Sequence, residues 1–302
     1  MHRFEGIYPI LYCFYGSDGA LDAGAMRAQV DHCIAAGAHG IAVLGLVTEV
    51  HKLDTAERRL LVETVGAAIG GRVPYAVTVG EPTVEGQIEF ARMARANGAA
   101  WAILQPPPGK GLDVSALQRH FGSIADALDF PVAIQNNPVN LDSSMKPLEL
   151  ADLVSKHANI GLLKAEGWSV DIATTLAALD GKVDAFGGHG GLEFLSLLRS
   201  GGAGLIPAPD CVAIQVEIFR AFREGTQASL ARAQRLHEAV LPLIVFMTRG
   251  VPGILCYGKR LMARRLGLSR IVDRAPALTP TDFGMAEMER QLDAAYATEK
   301  TL

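Results

Sequence analysis

The sequence predicts an α/β fold: a (β/α)8 barrel over residues 1–225, followed by a helical region over residues 226–302. Three observations carry this. Short apolar runs alternate with helix-forming stretches through residues 6–224, and the units number eight, close to the ~250 residues that such a barrel takes. A weak internal repeat marks the junctions, where a helical stretch ends in Gly-Ala and an apolar strand follows, at Ala36-Gly37-Ala38, Asn97-Gly98-Ala99 and Gly202-Ala203-Gly204. Glycine takes the left-handed cap conformation there without a Cβ penalty. Finally, no GxGxxG follows the first strand, which disfavours an open doubly wound sheet.

In chain order, the first strand runs from Gly6 to Cys13 and feeds a helix from about Ala23 to Ala36. Ile41 to Leu46 is a short apolar run of the kind a doubly buried parallel strand shows. Asp54-Thr55-Ala56-Glu57 signals the start of the next helix, which runs to Ile69. The third and fourth strands are Val73 to Val79 and Ala100 to Leu104, with a helix from Val84 to Ala96 between them and one from Ser115 to Leu128 after. Strands Val132 to Asn136, Ile160 to Lys164, Asp184 to Gly187 and Gly204 to Pro207 complete the set. Their helices are Pro147 to Lys156, Ser169 to Leu179, Gly191 to Arg199 and Cys211 to Glu224. Beyond Thr226 only helical patterns occur.

Composition narrows the function. The chain has 302 residues, 49% hydrophobic and 20% charged, enough for a sizeable core and incompatible with global disorder. Its formal net charge of -4 supplies no basic excess to neutralise phosphates, which argues against nucleic acid as a partner. The apolar runs are broken by Gly and Pro, so no membrane span is expected. MHRFEGIYPI lacks a signal-peptide core. Cys13, Cys33, Cys211 and Cys256 lie far apart and read as free thiols of a cytoplasmic protein. Neither a metal site nor a cofactor is expected, because no HExxH or paired-carboxylate motif occurs.

A barrel places its chemistry at the C-terminal ends of the strands. Lys164 ends the apolar run Ile160-Gly161-Leu162-Leu163. Desolvation there disfavours the ammonium and leaves a neutral amine that can attack a carbonyl; a lysine snorkelling to solvent is the plainer reading. The other lysines sit in polar, helix-end or loop contexts. Glu166 falls on the same strand face as Lys164 by the period of two, with Cα atoms about 6.5–7 Å apart. It can move a proton at the carbon beside an imine, or simply form an ion pair.

Three segments together resemble the dihydrodipicolinate synthase / N-acetylneuraminate lyase superfamily of class I Schiff-base aldolases. Val43-Leu44-Gly45-Leu46-Val47-Thr48-Glu49, followed by Leu53-Asp54-Thr55-Ala56-Glu57-Arg58, resembles the family's pyruvate-carboxylate loop and the helix start after it. Pro131-Val132-Ala133-Ile134-Gln135-Asn136-Asn137-Pro138 stands in place of P-x-x-x-Y-N-x-P. Ile160-Gly161-Leu162-Leu163-Lys164 stands in place of the run that carries the Schiff-base lysine. The resemblance spans nearly the whole chain. It implies that Lys164 forms the Schiff base, that the chain is a homodimer or homotetramer, and that the substrate is a small 2-keto acid.

The departures shape the expectation further. Gln135 replaces the proton-relay tyrosine of strand five, and the second tyrosine is absent from Gln105-Pro106-Pro107-Pro108. The arginine after N-x-P aligns near Asn140, and the carboxylate-binding hydroxyls align with Leu46 and Val47. Gln on strand five with Lys-x-Glu on strand six resembles the 2-keto-3-deoxy-L-arabonate dehydratases. The match extends to Arg72-Val73-Pro74 and to Gly253-Ile254-Leu255.

The expected activity is therefore that of a carbon–oxygen lyase, with Lys164 and Glu166 catalytic. Val47 and Thr48 are expected to hold the carboxylate, and Gln135 and Asn136 to orient substrate or water. His189 and Ile206 are expected at the substrate's tail, His189 within the glycine run Gly187-Gly188-His189-Gly190-Gly191. Aldol cleavage of the same substrates and a non-catalytic keto-acid sensor are the alternatives. Glu49 is expected to brace its loop, Tyr12 and Tyr15 to pack, and Trp168 either to wall the pocket or to pack outside it.

Overall fold

The computed structural model describes residues 4–109, 112–141 and 143–301. Its eight strands are β1 (Gly6–Ile7), β2 (Ile41–Val43), β3 (Tyr75–Val79), β4 (Ala99–Leu104), β5 (Val132–Asn136), β6 (Ile160–Ala165), β7 (Asp184–Gly187) and β8 (Gly204–Leu205). All pairings are parallel, in the order β1-β8-β7-β6-β5-β4-β3-β2. The seam between β1 and β2 closes through the parallel bridge Ile10–Ala42, with Leu11 N–H donating to Ala42 O at 2.9 Å and Ala42 N–H to Pro9 O at 2.9 Å. This is a (β/α)8 barrel.

The helices that cover it are α1 (Ala23–Ala35), α2 (Thr55–Ile69), α3 (Val84–Ala96), α4 (Val114–Asp126), α5 (Pro147–Lys156), α6 (Ser169–Leu179), α7 (Phe194–Arg199) and α8 (Val212–Glu224). Local chemistry sets their ends. Asp54 accepts from Glu57 N–H at 2.8 Å and Glu57 accepts from Asp54 N–H at 3.1 Å, so α2 opens on a reciprocal capping box. Gly37 and Gly98 take φ of 86° and 92° at the expected junctions; the third left-handed glycine is Gly201 (φ 94°), one residue earlier than the sequence repeat suggested.

The barrel interior is packed. Tyr8, Trp101 and Phe186 meet at ring-centroid distances of 5.2–5.6 Å, each such pair adding about 0.5–1.5 kcal/mol beyond burial. With Ile103, Ala133 and Leu162 they plug the barrel below the strand ends, so the interior is closed beneath the site.

The C-terminal part is α9 (Gln227–Met247), α10 (Val251–Gly253), a π-helical turn (Ile254–Gly258), α11 (Lys259–Arg265) and α12 (Asp282–Thr301). Among the described residues no single helix is long and apolar enough to cross a membrane. The bent pair Gln227–Met247 and Val251–Arg265, at 102°, passes that test only jointly, and it turns Leu236, Val240, Leu243 and Ile244 into the core. All four cysteines are free and buried; burial pushes the Cys13 thiol up to about 11.

Candidate active site

The parallel register puts Gln135 beside Lys164, and Lys164 beside Phe186. Lys164 is 5% exposed and Glu166 8%. Their charged ends are 3.6 Å apart, Nζ to Oε2, so the alternation of β6 carries one residue past the strand end. Both line a cavity of about 320 Å³ at the C-terminal mouth of the barrel, and Val47, His189 and Ile206 line it too. The remaining walls are largely apolar, Ile10, Val139 and Ile254 among them, with Thr248, Arg249 and Gly250 contributed by the loop after α9.

Glu166 is held by amides. Gln135 Nε2 donates to Glu166 Oε2 at 2.5 Å and Asn137 Nδ2 donates to the same oxygen at 2.8 Å. Gln105 Nε2 in turn donates to Gln135 Oε1 at 2.9 Å. The other carboxylate oxygen lies against the glycine run after β7: a Cβ on Gly188 would come within 2.3 Å of Glu166 Oε1. The backbone of that run thus packs against the carboxylate. His189 meets Asn140 Nδ2 at 3.4 Å, bridging the loops after β5 and β7.

Two expected substrate contacts have other partners in the structure. Asn136 is the last residue of β5, and alternation turns it away from the face that carries Gln135. Its Nδ2 donates to Met145 O at 3.0 Å and its Oδ1 accepts from Met145 N–H at 2.8 Å, so it pins the following loop. Asn137, one residue on, supplies the amide at the site. Thr48 is fully buried; its hydroxyl donates to Leu11 O at 2.8 Å and its N–H to Gly45 O at 3.0 Å. It ties the β2 loop to the segment that follows β1. Val47 stays in the cavity wall, and its N–H is one of the first donors of the turn Leu46–Thr48, where no preceding helical carbonyl meets it.

Lys259 overturns the expectation that the other lysines sit in polar surroundings. It is fully buried and donates to Glu49 Oε2 at 2.8 Å, while Lys52 donates to Glu49 Oε1 at 2.6 Å. Glu49 thus braces its loop, as expected, from a left-handed backbone position (φ 59°). Tyr12 does more than pack: its hydroxyl donates to Asp210 Oδ1 at 2.7 Å. Burial pushes both that phenol and that carboxyl up. Tyr15 lies under Arg274 and Lys259. Trp168 is 63% exposed at the start of α6 and does not line the cavity.

Sequence reading missed Gln105, Asn137 and Arg249. The first two carry a usable signal, since each is an amide at the end of a predicted strand beside Gln135. Arg249 comes from the helical region, and nothing local ties it to the barrel mouth.

Comparisons with known proteins point to one family. The model of the dihydrodipicolinate synthetase family matches residues 3–295. A 4-hydroxy-tetrahydrodipicolinate synthase of Pelobacter propionicus is 32% identical over 74% of this chain and 77% of its own length. A probable 2-dehydro-3-deoxy-D-pentonate aldolase of Escherichia coli K12 is 29% identical over 80% of this chain and 81% of its own. Among solved structures, the 4-hydroxy-tetrahydrodipicolinate synthase of Methylacidiphilum fumariolicum superposes with a TM-score of 0.87 at 21% identity, covering 99% of this chain and 98% of that one. With the barrel, the strand-six lysine and a family match over nearly its whole length, the chain belongs to the dihydrodipicolinate synthetase family of class I aldolases and lyases that act on keto acids.

Proposed function

We propose that this chain is a Schiff-base lyase that removes water from a 2-keto-3-deoxy sugar acid. The observation that carries the reading is the Glu166 carboxylate, 3.6 Å from Lys164 Nζ and held by the Gln135 and Asn137 amides. Retro-aldol cleavage needs a base on the hydroxyl whose C–C bond breaks, the task of the tyrosine that Gln135 replaces. An amide cannot shuttle a proton. Dehydration needs a base at C3 and an acid at the C4 hydroxyl, and a carboxylate beside the lysine suits both.

The Lys164 amine adds to the C2 carbonyl and expels water, giving an iminium. Glu166 takes a C3 proton to give the enamine, then returns it to the C4 hydroxyl as that group leaves as water. Hydrolysis of the imine and tautomerisation release the product, so the net change is loss of one water. Val47 N–H holds the carboxylate end, Gln135 orients Glu166, and His189 and Ile206 meet the tail. For 2-keto-3-deoxy-L-arabonate the product is 2-oxoglutarate semialdehyde. We place the enzyme in the cytoplasm as a homodimer or homotetramer.

The name of the Escherichia coli relative supports the substrate class and favours a second reading, aldol cleavage of the same acids. Incubation with a panel of 2-keto-3-deoxy aldonates, followed by mass spectrometry, separates the two. The expected result is loss of 18 mass units, the mass of one water. Pyruvate plus an aldehyde at a comparable rate overturns dehydration, and saturable binding without turnover makes the chain a sensor.

A further inference from the structure

A glutamine beside a carboxylate is useful only if it points the right way. Ionised Glu166 offers acceptors alone, so Gln135 must present its Nε2 to it. The Gln135 Oε1 then faces the other way and needs a donor. Gln105 Nε2 supplies it at 2.9 Å. Gln105 is itself fastened: its N–H donates to Val79 O at 2.9 Å, and its carbonyl accepts from Gln87 Nε2 at 3.1 Å. Gln87 is fully buried on α3 and also donates to Glu81 O at 2.9 Å.

Asn137 is oriented by the same logic. Its Oδ1 accepts from the N–H groups of Val139 at 3.2 Å and Asn140 at 3.0 Å. That commits the oxygen to the loop and leaves Nδ2 for Glu166. Each donor to the carboxylate is therefore locked through its own carbonyl.

We infer that Gln105 and Asn137 are positioning residues that keep Glu166 aimed at the substrate, Gln105 by fixing the direction of the Gln135 amide and Asn137 by direct donation. The inference rests on the reading of Glu166 as the C3 base. The other charged or titratable groups of the cavity are Lys164 on β6, His189 after β7 and Arg249 in the loop after α9, and none of them changes in the variants below.

The decisive variant is Gln105→Glu, which keeps the shape and turns the donor into an acceptor. The new carboxylate draws the Gln135 NH2 toward itself, so Gln135 Oε1 swings to face Glu166. The probe is pyruvate, read by deuterium exchange into its methyl group and by borohydride trapping. The trapped adduct on Lys164 should persist while exchange falls about tenfold. Asn137→Asp keeps the loop acceptor, removes the donor and should slow exchange as well. Gln105→Met, which leaves the Gln135 carbonyl without its donor but adds no charge, should slow it less. In a Gln135→Leu background Gln105→Met should add nothing, because the amide it orients is gone.

Unchanged exchange in Gln105→Glu, an additive effect of Gln105→Met in the Gln135→Leu background, or loss of the adduct with the fold intact would each overturn the inference. Failure of the base reading shows separately, as exchange that survives Glu166→Gln. Because pyruvate is the probe, neither result depends on which sugar acid is the substrate.

Discussion

Lys259–Glu49 and Lys164–Glu166 are both buried lysine–glutamate pairs, and they differ in everything but residue type. Lys259 and Glu49 meet at 2.8 Å with exposures of 0% and 2%; Lys164 and Glu166 stand 3.6 Å apart at the wall of an open cavity. Both oxygens of Glu49 accept from ammonium groups, Lys259 and Lys52. Lys259 also faces Asp273 at 3.8 Å and the ring of Tyr15 at 4.9 Å. Every partner there stabilises the charged lysine. Glu166 accepts from neutral amides instead. Burial of a lysine beside a glutamate is thus no sign of catalysis. What the carboxylate's other partners are, and whether the amine opens to a cavity, separates the clamp from the reaction centre we propose at Lys164.

The largest expected effect tests that separation directly. Borohydride reduction with pyruvate should attach an adduct to Lys164 alone. Lys164→Ala should fold and show none, whereas Lys259→Met should still be labelled at Lys164. An adduct on Lys259 in the wild type would erase the distinction.

Next in size, Glu166→Gln keeps the shape and removes the base. It should lower kcat by about two to four orders of magnitude while leaving the adduct largely intact. If turnover survives, Glu166 is only an ion-pair partner and the two pairs are alike after all.

The clamp should answer in stability. Removing one partner of a buried ion pair costs about 3–5 kcal/mol. Lys259→Met should fall toward the lower end, because Lys52 still covers Glu49, and the denaturant midpoint should drop with little change in adduct formation. A midpoint equal to wild type would show that the pair contributes nothing net.

The smallest effect concerns Thr48. Thr48→Val removes the hydroxyl that donates to Leu11 O, leaving a buried carbonyl short of a partner at about 1–3 kcal/mol. Stability should fall while KM for pyruvate stays within about twofold. A large rise in KM would return Thr48 to the carboxylate site.

The barrel was legible because its strands are short apolar runs and its helices carry their own punctuation: α2, α3, α5 and α6 begin and end where the sequence places them. The strand ends at the mouth were less so. β1 stops at Ile7 rather than Cys13: Pro9 supplies no N–H, and beyond it the pairing continues through separate bonds, Ile10 N–H to Pro207 O and the Ile10–Ala42 bridge. β2 stops at Val43 because Leu44 takes a left-handed conformation (φ 65°) and the chain enters the turn Leu46–Thr48. At the site, the period of two found Lys164 and Glu166. The same period separates Gln135 from Asn136, and applying it there assigns Asn136 to the loop. Lys259 was not legible. It sits in Gly258-Lys259-Arg260, a polar-looking stretch, and its burial is decided by elements far away in the chain.

The glycine at 188 has a consequence for how such an enzyme can be remodelled. Any side chain there would collide with Glu166 Oε1, since even a Cβ would stand 2.3 Å away. In a saturation library position 188 should therefore accept glycine alone, whatever substrate is selected for. Val139, Asn140, His189 and Arg249 stand on loops around the same cavity without that constraint. Adaptation to a new sugar acid would have to be written in those loops, around a floor that does not change.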